Sequence, residues 1–310
     1  MTTEPINSES IDKTIEIALI SHTNAGKTTL ARTLLGRDIG EVRDAPHVTD
    51  LSEAHTLITT DQGDVLRLWD TPGFGDTTRL VKRLRNADNP IGWLLREVWD
   101  RWRDRPFWCS QQAVRTAREA SDVVLYLVNA SEQPHEAGYL LAEMDVLRWI
   151  ERPTIVLLNQ VGPPRGAAEE RAEVERWRTH LAPYEFVKEV ITLDAFARCW
   201  VQERVLLDAV GRVLAESKRA AFARLLAQWD ARNHERFMSA MSALAEQLLD
   251  AARDREPVDQ AVAPGALQKV LHAVGVGRDR IDAARERAMT QLAERLDRAI
   301  RRSTDQLIAL

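Results

Sequence analysis

At 310 residues, with 45% apolar and 29% charged residues, the chain is sized for two compact units of an ordinary globular protein. Its 42 basic and 47 acidic residues leave a net charge of −5, which argues against a general electrostatic nucleic-acid binder and makes nucleic acid an unexpected partner. Two distant cysteines, Cys109 and Cys199, lack metal-ligand spacing and fit a reduced, cytoplasmic setting; the polar N-terminus is unlike a signal peptide, and no run of about eighteen apolar residues offers a membrane span.

Residues 1–13 read as a flexible, polar lead-in. Thr14–Ile20 (TIEIALI) is β-branched and runs straight into a polar turn, which predicts a buried strand. A helix is expected over Lys27–Leu35, then a short strand over Val65–Trp69 that ends on Asp70. Val123–Val128 and Thr154–Leu158 are near-continuous apolar runs, as strands covered on both faces of a parallel sheet must be. Helices over Ala137–Ile150, Ala167–Leu181 and Val201–Leu214 separate these strands and a last one over Phe186–Leu193. Alternation of this kind predicts an α/β, doubly wound, mainly parallel domain over residues 14–215, with ligands at the carboxyl ends of its strands. Beyond it, Phe222, Leu225, Trp229, Phe237, Met241, Leu244 and Leu248 recur at helical steps. After a Pro- and Gly-containing break, Ile281, Met289, Leu292, Leu296, Ile300 and Leu307 do the same. A helical hairpin or bundle over residues 216–310 is expected, and its last helix meets no stop signal before Leu310, so a longer gene product is also expected.

The chemistry concentrates between Ile20 and Asp76. Ser21, His22, Thr23, Asn24, Ala25, Gly26, Lys27, Thr28 and Thr29 follow the first strand and open a helix, matching G-x-x-x-x-G-K-[ST] everywhere except at Ser21. Such a P-loop wraps backbone N–H groups around a β-phosphate and adds the positive end of a helix dipole. Lys27 is placed to reach the β- and γ-phosphates, and the Thr28 hydroxyl to bind Mg²⁺. Gly26 lets the backbone approach without a Cβ; Ser21 gives up some left-handed freedom but no phosphate donor. Asp70-Thr-Pro-Gly73, at the end of the next strand, matches D-x-x-G: Asp70 holds Mg²⁺ through water, and the Gly73 N–H senses the γ-phosphate. Thr49, between the two motifs, is either the threonine that completes the Mg²⁺ shell or a solvated loop residue.

S-H-T-N-A-G-K-T-T, A-P-H-V-T-D and D-T-P-G-F-G-D resemble the TrmE–Era–septin class of GTPases, and more narrowly a bacterial branch of Era-like GTPases with a C-terminal domain of unknown function; the LDAFARCW segment at Leu193–Trp200 carries the narrower likeness. The resemblance implies a Mg²⁺-dependent switch that binds GTP and GDP and hydrolyses GTP. Phe74 stands where Ras-like enzymes place a water-orienting Gln, so another device is expected, and Asn24 matches an asparagine that several Era-like proteins use to hold K⁺. Asn24 is equally readable as a loop residue satisfying local backbone groups. Members of the narrower branch carry a Gly-rich hydrophobic segment further along, which makes peripheral association with the inner membrane an expectation resting on sequence beyond this chain.

The base end departs from the class. Where N-K-x-D is expected, the chain has Asn159, Gln160, Val161 and Gly162, without the Asp that accepts two guanine hydrogen bonds. Gln160 is expected to lie along the base, and Asp194-Ala195-Phe196 to replace S-A-K, with the Ala195 N–H at guanine O6. ATP therefore stays open beside GTP. An insert over residues 77–120 is longer than one switch helix needs. Ile91, Leu94, Leu95, Val98 and Trp102 share a helical face there, near Trp93, Trp99 and Trp108 and after Arg79, Lys82, Arg83 and Arg85. It reads either as aromatic cover for the sheet or as a nucleotide-sensitive surface for a protein partner or a second copy of the chain. Three functions remain: a hydrolysing switch stimulated by dimerisation, a partner or K⁺; a nucleotide-binding scaffold that does not turn over; or a membrane-associated, dynamin-like GTPase with the helical tail as its lever.

Overall fold

The computed structural model describes residues 13–22, 25–35, 53–85, 103–160, 162, 166–193, 195, 199–255 and 278–309. The chain divides into two compact units, Met1–Trp229 and Asp230–Leu310. In the first, β1 (Thr14–Ser21), β2 (Glu53–Thr59), β3 (Val65–Asp70), β4 (Val123–Asn129), β5 (Thr154–Asn159) and β6 (Val187–Thr192) form one sheet in the order β2-β3-β1-β4-β5-β6. Every neighbouring pair is parallel except β2 with β3. Strands to either side of β1 belong to successive crossovers in opposite directions. The loop after β1 therefore sits at a topological switch point, where open α/β sheets bind ligands.

The period of two along each strand sorts the core into two layers. Ile15, Ile17 and Leu19, with Leu125, Leu127, Ile155 and Leu157, face α1 (Lys27–Leu35) and α6 (Trp200–Val213). Ala18 and Ile20, with Val124, Tyr126, Val128, Val156 and Leu158, face α2 (Thr77–Arg85), α3 (Arg105–Ala120), α4 (Leu140–Ile150) and α5 (Ala167–Leu181). Apolar side chains on both faces explain why these strands are near-continuous hydrophobic runs. Among the described residues no helix is long and apolar enough to cross a membrane.

β2 is the element that sequence periodicity does not predict. It is an edge strand, pairs antiparallel with β3 through an irregularity between Thr56 and Ile58, and buries only Ile58. A strand wet on most sides carries little hydrophobic pattern. The turn that joins it to β3 places Gly63 at φ +82°, a left-handed conformation in which glycine is at ease.

α7 (Glu216–Arg253) begins inside the first unit. Its Phe222, Leu225 and Trp229 are buried in the α1/α6 layer, so the α/β domain extends beyond residue 215. Two ion pairs clamp this segment. Arg224 donates from Nε and Nη2 to the fully buried Asp64 carboxylate, both at 2.7 Å, and Lys218 Nζ reaches Asp122 Oδ2 and the Thr14 carbonyl, both at 2.8 Å. The Arg224 bonds, and then the Thr60 hydroxyl, hold the Asp64 carboxyl below its ordinary value of 3.8, against the upward push of burial. A lowered folded value means stability that is fully present above the ordinary value and is lost as pH falls through the folded one. Arg224→Met is thus expected to lower the melting midpoint at neutral pH, and the gap from wild type to shrink in melts run at about pH 3.

The second unit contains the rest of α7 and α8 (Arg278–Ala309), linked by Arg295 Nε donating to Asp254 Oδ2 at 3.0 Å.

Candidate nucleotide-binding site

The described residues of the loop after β1 fit the motif. Ser21 is the last residue of β1, and among the described residues of this loop a positive φ falls at Gly26 and not at Ser21. The Ser-for-Gly replacement therefore costs no backbone strain: the residue is extended, with its Oγ donating to the His22 carbonyl at 2.8 Å. Gly26 is at φ +91°, and a Cβ there would lie 2.7 Å from Asn159 Nδ2. Only glycine meets both conditions. α1 then starts at Lys27, with Leu30 N–H donating to the Gly26 carbonyl at 3.0 Å.

Lys27 and Asp70 meet at the mouth of this loop. Lys27 Nζ lies 2.7 Å from Asp70 Oδ1 and Thr28 Oγ1 lies 3.4 Å from Asp70 Oδ2; Lys27 and Asp70 are 7% and 5% exposed. A carboxylate and a hydroxyl side by side form the hard oxygen pair that Mg²⁺ takes, beside the cation that phosphates require. The residues present thus fit a Mg²⁺–nucleotide complex. Thr29 lies in the first turn of α1, its carbonyl accepting from Thr33 Oγ1 at 3.0 Å. Thr23, Asn24, Thr49 and Asp194 lie outside the described residues, as do residues 86–102 of the tryptophan-rich insert.

The D-x-x-G segment is sewn to the loop. Thr71 Oγ1 donates to the Leu19 carbonyl at 2.8 Å, and Phe74 N–H to the Ser21 carbonyl at 3.0 Å, with Gly73 between these anchors. Phe74 itself is fully buried in the α2–α5 layer. Its ring is core, so it has no part in orienting a water. At the described ends of the insert, Arg79 and Arg83 lie over the Phe107 ring at 4.0 and 5.5 Å, and Phe107 is buried.

At the base end two of the expected residues are bonded to one another. Asn159 is fully buried, and both ends of its amide are engaged within the protein: Nδ2 donates to the Ala25 carbonyl at 3.0 Å, and Oδ1 accepts the Ala195 N–H at 2.9 Å. Asn159 is a strut between phosphate loop and base loop. The Ala195 N–H, expected at guanine O6, is directed to that strut instead, while its carbonyl accepts from Thr33 Oγ1 at 2.6 Å. Gln160 follows in a left-handed conformation, φ +57°, which a residue with a Cβ rarely adopts, and Gly162 at φ +81°.

A buried carboxylate that the motifs do not include lies beside the loop. Glu143 on α4 is fully buried; its Oε1 accepts from His22 Nδ1 at 2.7 Å and from Thr77 Oγ1 at 3.3 Å, and its Oε2 from the Tyr126 hydroxyl. His22 also stacks on Tyr139, ring centroids 4.1 Å apart. The hydrogen bond to Glu143 raises the His22 pKa against the opposing effect of burial, while burial and then Glu143 push the Tyr126 hydroxyl well up. Sequence reading missed Glu143 because a lone acid on an amphipathic helix has the pattern of a solvated residue.

Switch-point loop, P-loop lysine and aspartate-ended β3 together have the arrangement of a P-loop nucleotide-binding domain. Residues 16–160, just under half of the chain, match the family described as 50S ribosome-binding GTPase. Over those residues the chain is similar to that GTPase family, in line with the motifs' resemblance to the TrmE–Era–septin class. No curated protein matches the chain. Similar solved structures include an Era variant from Aquifex aeolicus bound to GDP·AlF4⁻, with TM-score 0.46, 16% identity, and coverage of 66% of this chain and 57% of that one. A GTP-binding protein from the archaeon Sulfolobus solfataricus with GDP gives TM-score 0.42, 18% identity, and coverage of 66% and 54%. A probable GTP-binding protein EngB gives TM-score 0.39, 17% identity, and coverage of 64% and 97%. The chain thus spans little more than half the length of the Era and archaeal structures.

Proposed function

We propose that the protein is a Mg²⁺-dependent switch that binds GTP and GDP and hydrolyses GTP, its turnover stimulated by dimerisation, a protein partner or K⁺ held at Asn24. The observation that carries this reading is the Lys27–Asp70–Thr28 cluster at the mouth of a loop that only glycine at position 26 permits. Thr28 and Asp70, with Thr49, are the residues that would hold the metal, and Mg²⁺ when bound supplies charge neutralisation at the β- and γ-phosphates. Lys27 would leave Asp70 for those phosphates, and the Gly73 N–H, held close to the loop by its neighbours' bonds, would contact the third phosphate.

A buried Phe74 means that the chain itself offers no glutamine at that place. A monovalent cation or a second molecule would then supply the missing transition-state charge. The same observation favours a second reading, a nucleotide-binding scaffold without turnover. Single-turnover assays with GTP and ATP, in K⁺ and then Na⁺, separate the two. Cleavage of GTP is expected, faster in K⁺ by about tenfold or more. Tight binding with no cleavage under any cation or protein concentration would establish the scaffold.

Base selectivity is expected to be modest. With Gly162 where the class has Asp and with Ala195 N–H engaged by Asn159, calorimetric titration should give a preference for GTP over ATP below roughly a thousandfold, against the 10⁴–10⁵ that a site built around such hydrogen bonds achieves.

A further inference from the structure

Glu143 belongs to none of the nucleotide motifs, yet it touches one of them and the helix that follows another. His22 is the second residue of the phosphate loop, and Thr77 opens α2, four residues after Gly73. Both donate to the same oxygen, Oε1, and Tyr126 of the central strand β4 donates to the other. The carboxylate is fully buried, Tyr126 is fully buried and Thr77 is 5% exposed. Burying an ionised carboxyl costs several kcal/mol unless its lone pairs are met. Three convergent donors meet them here, and the donors come from three separate segments of the chain.

We propose that Glu143 is a positioning residue for the γ-phosphate end of the site, holding the Gly73–Thr77 segment in register with the phosphate loop by gripping His22 and Thr77 together. The backbone supports this. Gly73 lies between Thr71, bonded to the Leu19 carbonyl, and Phe74, bonded to the Ser21 carbonyl; Gly75 N–H donates to Ser110 Oγ at 3.1 Å. Among these ties, the Glu143 carboxylate is the one that joins a side chain of the loop to the helix that follows D-x-x-G. Without it the Thr71 and Phe74 bonds remain, but the side-chain tie between the loop and the start of α2 is lost. On the switch reading the third phosphate is what reaches the Gly73 N–H, so a diphosphate lacks that contact. Glu143 therefore contributes to telling the two apart, an inference that rests on the switch reading above.

The test is a calorimetric titration of the full chain with Mg²⁺ plus GDP and with Mg²⁺ plus GTPγS, for wild type, Glu143→Ala, Glu143→Gln and Thr77→Val. Glutamine can still accept from His22 and Thr77 while its amide donates to the Tyr126 hydroxyl, so it serves as the conservative rescue. GDP affinity is expected to stay within about twofold in every variant. GTPγS affinity should fall about tenfold in Glu143→Ala and Thr77→Val, and return to within about threefold of wild type in Glu143→Gln. Thr77→Val leaves Glu143 bonded to His22 and Tyr126, and decides the matter alone where Glu143→Ala does not fold. Equal losses for both nucleotides, or no loss for either, would overturn the inference and leave Glu143 a stabiliser of the core. The readout needs no turnover: a wild type that discriminates the nucleotides but never cleaves GTP refutes the hydrolytic reading alone, and one that binds neither refutes both.

Discussion

Lys27→Ala should weaken Mg²⁺–GTP binding by at least about a hundredfold and also lower the stability of the nucleotide-free protein. The first effect follows from losing charge-assisted hydrogen bonds to two phosphates, each about 1.5–3 kcal/mol. The second follows from the pair itself: Lys27 and Asp70 are buried 2.7 Å apart, and removing one partner leaves the other charge stranded. Breaking buried pairs in this way costs about 3–5 kcal/mol. Adding Asp70→Ala should restore much of the melting midpoint while leaving the affinity lost. Titration calorimetry and thermal melts of the single and double variants check both halves. Unchanged affinity in Lys27→Ala would refute the phosphate-loop assignment.

Gly26→Ala is expected to be nearly as damaging for a different reason. An alanine at φ +91° is strained by roughly 1–2 kcal/mol, and its Cβ would meet Asn159 Nδ2 at 2.7 Å. Asn159 has no easy retreat, because its amide is bonded to Ala25 and Ala195 at once. The clash therefore passes into both the phosphate loop and the base loop. Nucleotide affinity should fall about a hundredfold or more. In a double-mutant cycle with Asn159→Ala, the two stability losses should be less than additive, since one methyl group and one amide compete for the same space. Strict additivity would show that the two residues do not meet.

The nucleotide domain was legible where burial and chemistry leave a linear trace. β1, β4 and β5 are covered on both faces, so their sequences are nearly continuous hydrophobic runs. Lys27, Asp70 and Gly26 could be read because the phosphate loop needs those residue types at fixed spacing. β2 was not legible, because an edge strand with one buried residue has no pattern to show. Neither was the Glu143 network, whose partners lie 121, 66 and 17 residues away in the sequence. Contacts that far apart write no periodicity. At Ala195 the difficulty was another: sequence places the residue beside the base, but whether its N–H is available depends on Asn159, which a motif cannot reveal.

The way α7 begins bears on where this gene can be divided. Its helical pattern is the same before and after Trp229, yet Phe222, Leu225 and Trp229 fill the sheet's α1/α6 layer while Phe237, Met241 and Leu248 are exposed. A fragment ending at Leu214 would uncover the place of three large side chains, a loss of roughly 5–9 kcal/mol, as large as the whole stability of many domains. It would also strand Asp64 without Arg224. A recombination or expression boundary that respects the nucleotide domain therefore falls inside a continuous helix, beyond Trp229, and not at the loop that precedes it.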